Sequence, residues 1–134
     1  MSISASGLQA ASLWLNAAAS NIVNQDSSGP VPATPPSQAV VQSPGSVYQP
    51  VTVAQSPVPG GGVAASLQAS LPAYTLAYDP QAPYANLQGM VAMPNTDLPT
   101  EFVNLSEAAN SFRASLAAFK ASSSMFKALL NIVA

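Results

Sequence analysis

Apolar residues recur at alternating steps of four and three along the last third of the chain: Leu98, Phe102, Leu105, Ala109, Phe112, Leu116, Phe119, Ser123, Phe126, Leu130 and Val133. This spacing keeps one stripe facing one way along an α-helix, so it predicts a long amphipathic helix over 96–134. All four phenylalanines fall on the stripe, which two positions in seven would achieve by chance about once in a hundred trials. At about 1.5 Å per residue the stripe is roughly 50 Å long, more than a small domain needs, and a terminal helix of this kind suits assembly. Burying each large seam residue gains about 1.5–3 kcal/mol, whereas ordering each backbone unit costs about 1–2 kcal/mol. The helix therefore needs packing on both sides of its seam, from the rest of the chain or from other copies, and the isolated protein is expected to be only partly folded.

A second seam runs through Leu8, Ala11, Leu15, Ala18 and Ile22 and predicts a helix within Met1–Asn24. Its alternation of large and small residues suits close approach of another helix, and the bulky Phe112, Phe119 and Phe126 are expected to interdigitate with Ala11 and Ala18 in an antiparallel hairpin. Trp14 falls beside the stripe, placed for a second neighbour. Between Asn24 and Pro72 lie nine of the thirteen prolines and five of the seven glycines, and no helix runs through such a stretch. Three short patches there have β character, Gln38–Gln42, Val47–Ala54 and Val63–Leu71, with Gly60-Gly61-Gly62 as a turn and Pro50 demoting the second patch to an edge strand. Ala73–Asn95 reads as a proline-punctuated loop whose Tyr74, Tyr78 and Tyr84 cover the two helices or meet a neighbouring subunit. Asp97 is placed as an N-cap, with Pro99 in the first turn and Glu101 near the positive helix end.

The fold class expected is thus mainly α with a small β insertion. The N- and C-terminal helices (1–26 and 96–134) pair as an antiparallel coiled coil forming one discontinuous domain, and 27–95 is an extended Pro/Gly-rich β/loop insertion.

Composition narrows the function. Of 134 residues 49% are hydrophobic and only 6% charged, with formal net charge −2, where a soluble domain is usually about one quarter charged. Such a surface is one that neighbours cover. Without a basic excess there is nothing to hold nucleic acid or anionic lipid, and no run approaches the roughly 18 apolar residues of a membrane span. Residues 1–25 are uncharged and lack the basic start of a cleaved leader, so any export is expected to proceed without one. Histidine and cysteine are absent and the five acids are scattered, which leaves no catalytic residue, no metal site and no cofactor to name. Asp97 and Glu101 stand one turn apart, where capping explains them better than carboxylate pairing. Arg113, Lys120 and Lys127, the whole basic complement, repeat every seven residues and form one line flanking the seam, either solvated or paired with acids of an adjacent helix.

Several segments carry a family likeness. Ser6-Gly7-Leu8, then Ala18-Ala19-Ser20-Asn21-Ile22-Val23-Asn24, Tyr78-Asp79-Pro80, and Gly89-Met90-Val91-Ala92-Met93-Pro94-Asn95-Thr96-Asp97 ahead of the long helix resemble the bacterial flagellar rod and hook axial family, in particular its FlgC-type proximal-rod subunits. The Met93, Pro94, Asn95, Asp97 element is the most specific part, with Asn21 and Asn24 marking the end of the first helix. Phe112 stands where that family more often has tyrosine. The resemblance implies a non-enzymatic polymer subunit of the flagellar basal body. Its terminal helices line the inner tube of the proximal rod, its partners are itself and other flagellar rod proteins, and it leaves the cell body through the flagellar type III export apparatus. The assembly interface expected on this reading comprises Leu8, Leu15, Ile22, Phe102, Leu105, Phe112, Leu116, Phe119, Phe126 and Leu130. Two rivals share parts of the pattern: another helical polymer or secretion-needle subunit, and a monomeric binding module built on the tyrosine-rich loop.

Overall fold

The computed structural model describes residues 2–133; Met1 and Ala134, counted in the expected terminal segments, lie outside the described residues, as does the side chain of the seam position Val133. Two helices, α1 (Ser2–Val23) and α2 (Leu98–Val133), enclose in sequence four strands, β1 (Val51–Pro57), β2 (Val63–Ala69), β3 (Tyr74–Tyr78) and β4 (Met90–Pro94). The protein is mainly helical with a β insertion, as the periodicities predict.

The helices lie side by side and antiparallel. Near one end Gly7 meets Ser115, so closely that a Cβ on Gly7 would stand 2.9 Å from the serine Oγ. Near the other, Asn21 bonds Glu101. The contact is built from small residues on both sides: Ala11 and Ala18 on α1 and Ala108 on α2 are all but fully buried. This corrects the expected match of phenylalanine against alanine. Phe112 and Phe119 are half-buried at the edge of the contact, and α2 presents instead the positions one residue before several seam members, Glu101, Ala108 and Ser115. Small side chains on both helices let the backbones approach more closely than a phenylalanine row would allow.

Against an adjoining face of α1 packs the β1–β2 hairpin, antiparallel from Val51↔Ala69 to Pro57↔Val63. Its turn holds Gly60, Gly61 and Gly62, all at positive φ, a backbone conformation that residues with a Cβ avoid. Val63 N donates to Ser6 Oγ at 3.2 Å and ties this end of the hairpin to the start of α1. Pro50, buried and without an N–H, stands just before β1, so that strand begins four residues later than the Val47–Ala54 pattern predicts.

Two other expectations fail. Gln38–Gln42 forms no strand, and the 73–95 segment, expected as a loop, contains the β3–β4 hairpin, paired from Tyr74↔Pro94 to Tyr78↔Met90. Its prolines mislead because Pro80 and Pro83 fall in the connection and Pro94 at the last strand position, where none interrupts the ladder. Nor does Tyr74 cover the helices. It is buried with Val40, Val47, Ala73 and Ala92 in a small core beneath β3 and β4, and its hydroxyl donates to Thr34 O at 2.8 Å. Tyr84 bonds Ser28 through its hydroxyl, and Tyr78 is exposed. Gly29 closes this unit by exchanging backbone hydrogen bonds with Ala92 at 2.9 and 3.0 Å.

Candidate assembly interface

The polar junction at the closed end of the helix hairpin sets the geometry of everything beyond it. Asn21 is 1% exposed on a face otherwise made of alanine, and each half of its amide is used twice. Nδ2 donates to Val51 O at 2.8 Å and to Glu101 Oε1 at 2.9 Å, while Oδ1 accepts from Val51 N and from Tyr48 Oη, both at 3.0 Å. One side chain thus pins α1, the start of β1 and the first turn of α2 together with no donor or acceptor left over. Burial, with the nearby Glu101 charge as a smaller cause, raises the Tyr48 pKa above its ordinary 10.0, which keeps the phenol a donor.

The other motif residues shape the chain around this junction. Asn24 ends α1, its Nδ2 donating to Ser20 O at 2.9 Å while its own carbonyl accepts from Ser27. Met93 is half-buried opposite Thr75, and Pro94 is buried at the end of β4. Asn95 Nδ2 donates to Pro72 O at 3.1 Å, holding the exit of β4 against the entrance of β3. Asp97 then caps α2: its Oδ2 accepts from Thr100 N at 3.3 Å and from the Thr100 hydroxyl. The motif as a whole turns the chain out of the sheet and into the long helix.

The predicted seam residues divide in two. Leu8, Leu15, Ile22, Leu105, Phe112, Leu116 and Phe119 are half-buried along the hairpin. Phe102, Phe126 and Leu130 are exposed, as are Met125, Leu129 and Ile132. Beyond about Ser122 the described part of α2 outruns α1, and among the described residues no other element packs on it. This stretch concentrates exposed large apolar side chains on one helix. Lys127 is exposed within it, and Arg113 and Lys120 are exposed on the part of α2 that runs alongside α1.

Sequence reasoning passed over Tyr48 and gave Glu101 only a helix-end role, yet both belong to the junction. The available signal was Asn21 itself, a polar residue between Ala18 and Ile22 of an otherwise apolar seam.

Comparison with known proteins fits this arrangement. The family model described as flagellar basal body rod FlgEFG protein C-terminal matches residues 87–132, the stretch from the β4 approach through α2. The flagellar basal-body rod protein FlgC of Salmonella typhimurium is 35% identical over 130 residues, covering 97% of this chain and 92% of that protein. The chain belongs to the FlgC family of flagellar basal-body rod proteins. Its counterpart in Escherichia coli O157:H7 is 34% identical over 130 residues, 97% of this chain and 92% of that protein. That of Aquifex aeolicus is 31% identical over 134 residues, with coverage of 95% and 90%. Membership makes the chain a structural subunit of the basal-body rod, not an enzyme. No helix among the described residues is long and apolar enough to cross a membrane.

Proposed function

We propose that this subunit polymerises through its terminal helices into the proximal rod, an axial shaft that transmits torque and encloses an export channel. The observation that carries this reading is the divided seam. Leu105, Phe112, Leu116 and Phe119 are half-buried along the hairpin, while Phe102, Phe126 and Leu130 remain for neighbours. The hairpin of 1–26 with 96–134 acts as one discontinuous coiled-coil domain that makes the axial and lateral contacts, and 27–95 is an insertion on it. Partners are further copies and other flagellar rod proteins, delivered by the flagellar type III export apparatus. The low charge fits a surface that neighbours cover.

Phe126→Asp tests the reading, because Phe126 is 55% exposed and its loss leaves the hairpin intact. The variant should keep wild-type helix content yet fail to enter rods or restore motility to a strain lacking the native subunit, since burying an unpaired carboxylate costs several kcal/mol. Glu107→Gln, at an exposed position off the seam, should restore motility. Full motility with Phe126→Asp would refute assembly through this surface.

A further inference from the structure

Beside the junction opens a cleft of about 320 Å³ whose lining includes Trp14, Val53, Gln55, Glu101 and Asn104. The Glu101 carboxylate on its wall accepts from Asn21 Nδ2 and, at 3.4 Å, from Asn104 Nδ2, but both are neutral amides, and among the described residues no cation meets it. An anion and an indole on the wall of one small cleft form a receptor for a cationic side chain. The chain has three such side chains. Arg113, with Asn110 Oδ1 at 3.5 Å, and Lys120 both stand on the part of α2 that runs alongside α1. Lys127 stands on the uncovered stretch, flanked by the exposed Met125, Phe126, Leu129 and Leu130. It cannot reach Glu101 of its own chain, because both are on one continuous helix and are separated by about 39 Å at 1.5 Å per residue.

We propose that the Trp14–Glu101 cleft receives the Lys127 ammonium of a second copy of this chain. The apolar residues around Lys127 then pack over the neighbour's hairpin, so charge fixes the register of a contact that is mostly hydrophobic. Donor and receptor sit toward opposite ends of α2. Parallel copies then meet head-to-tail, and repeating the contact extends the assembly, whereas antiparallel copies would close a dimer through two such pairs. The inference rests on the self-assembly reading above and adds to it a specific residue pair.

Sedimentation of the full-length protein across a concentration series, at low and high salt, tests the pair. Wild type should self-associate, less strongly at high salt. Glu101→Gln leaves an oxygen for the Asn21 amide and so keeps the junction, which circular dichroism will verify. It and Lys127→Gln should each raise the dissociation constant about threefold to tenfold and remove most of the salt dependence. The double variant should be no weaker than either single one. Additive single effects, or an unchanged constant for Lys127→Gln, would overturn the pairing. A wild-type chain that stays monomeric throughout would also overturn it, while incorporation of labelled subunits into rods would leave the rod reading standing.

Discussion

Asn21→Ala removes the one side chain on which three elements converge, and the structure sets the expected cost. The variant loses two hydrogen bonds with the Val51 backbone, one with the Tyr48 hydroxyl and one with the Glu101 carboxylate. Neutral hydrogen bonds contribute about 0.5–1.5 kcal/mol each and one to a charged group about 1.5–3. The clefts on either side, lined by Glu101 and by Tyr48, admit water to part of the exposed set and bring the total to the lower end, about 3 kcal/mol. That is a large share of the roughly 5–15 kcal/mol that holds a small domain folded. Urea unfolding measures it. The single tryptophan, Trp14, is one turn from the alanines that flank the junction and reports locally by fluorescence, while circular dichroism reports on both helices. Asn21→Asp sharpens the test. A carboxylate oxygen in the place of Nδ2 would face Val51 O and Glu101 Oε1, setting two acceptors and a like charge against it, so at neutral pH this variant should be less stable than Asn21→Ala. Protonating the introduced carboxyl restores a donor at this position, so relative to wild type the variant should recover at acid pH. An Asn21→Ala variant within about 0.5 kcal/mol of wild type, or an Asn21→Asp variant that matches it at neutral pH, would refute this role of the side chain.

Ala18→Phe overpacks the contact between α1 and α2 and should cost about 1–3 kcal/mol with weakened assembly, whereas Ser28→Phe, at an exposed loop position, should be close to neutral; equal melting temperatures for the two would refute the hairpin. Gly29→Ala places a Cβ 2.8 Å from Val47 N, a backbone atom with little room to move, and should destabilise the β3–β4 unit by about 1–3 kcal/mol, read as faster amide exchange at Ala92. Because the Tyr48 pKa is raised on folding, its contribution to stability is complete below the ordinary value of 10.0 and is lost as pH rises through the folded value. Tyr48→Phe should therefore flatten the alkaline limb of stability against pH, at the expense of about 1 kcal/mol at neutral pH from the lost hydrogen bond.

Both helices were legible from spacing alone because a seam of period 3.5 has few other solutions. The face each helix turns inward was less so. A row of phenylalanines dominates any count of apolar positions, yet Ala108 and Ser115 make the closer contact because they are small, a property that hydrophobicity does not register. The β3–β4 hairpin was hidden for a related reason. Tyr74–Tyr78 carries strand-forming residues, but proline density obscures a strand when the prolines happen to fall at its ends. Asp97 is legible as a cap from its local sequence and Asn21 is marked by the family likeness, whereas the partnership of Asn21 with Tyr48 and Glu101 depends on tertiary placement that no local pattern encodes.

The hydrogen bond from Asn21 to Glu101 joins residues 80 positions apart, and this separation has a kinetic consequence. α1 carries no charged residue to stabilise an isolated helix through its own side-chain pairs, and its partner helix is made only after the four strands. At about 5–20 residues per second, the first helix waits several seconds after synthesis before its match exists. The loop that must then close is long, and contacts of this span form slowly. During that interval the alanine face of α1 is unpaired and open to any partner that binds it before α2 does.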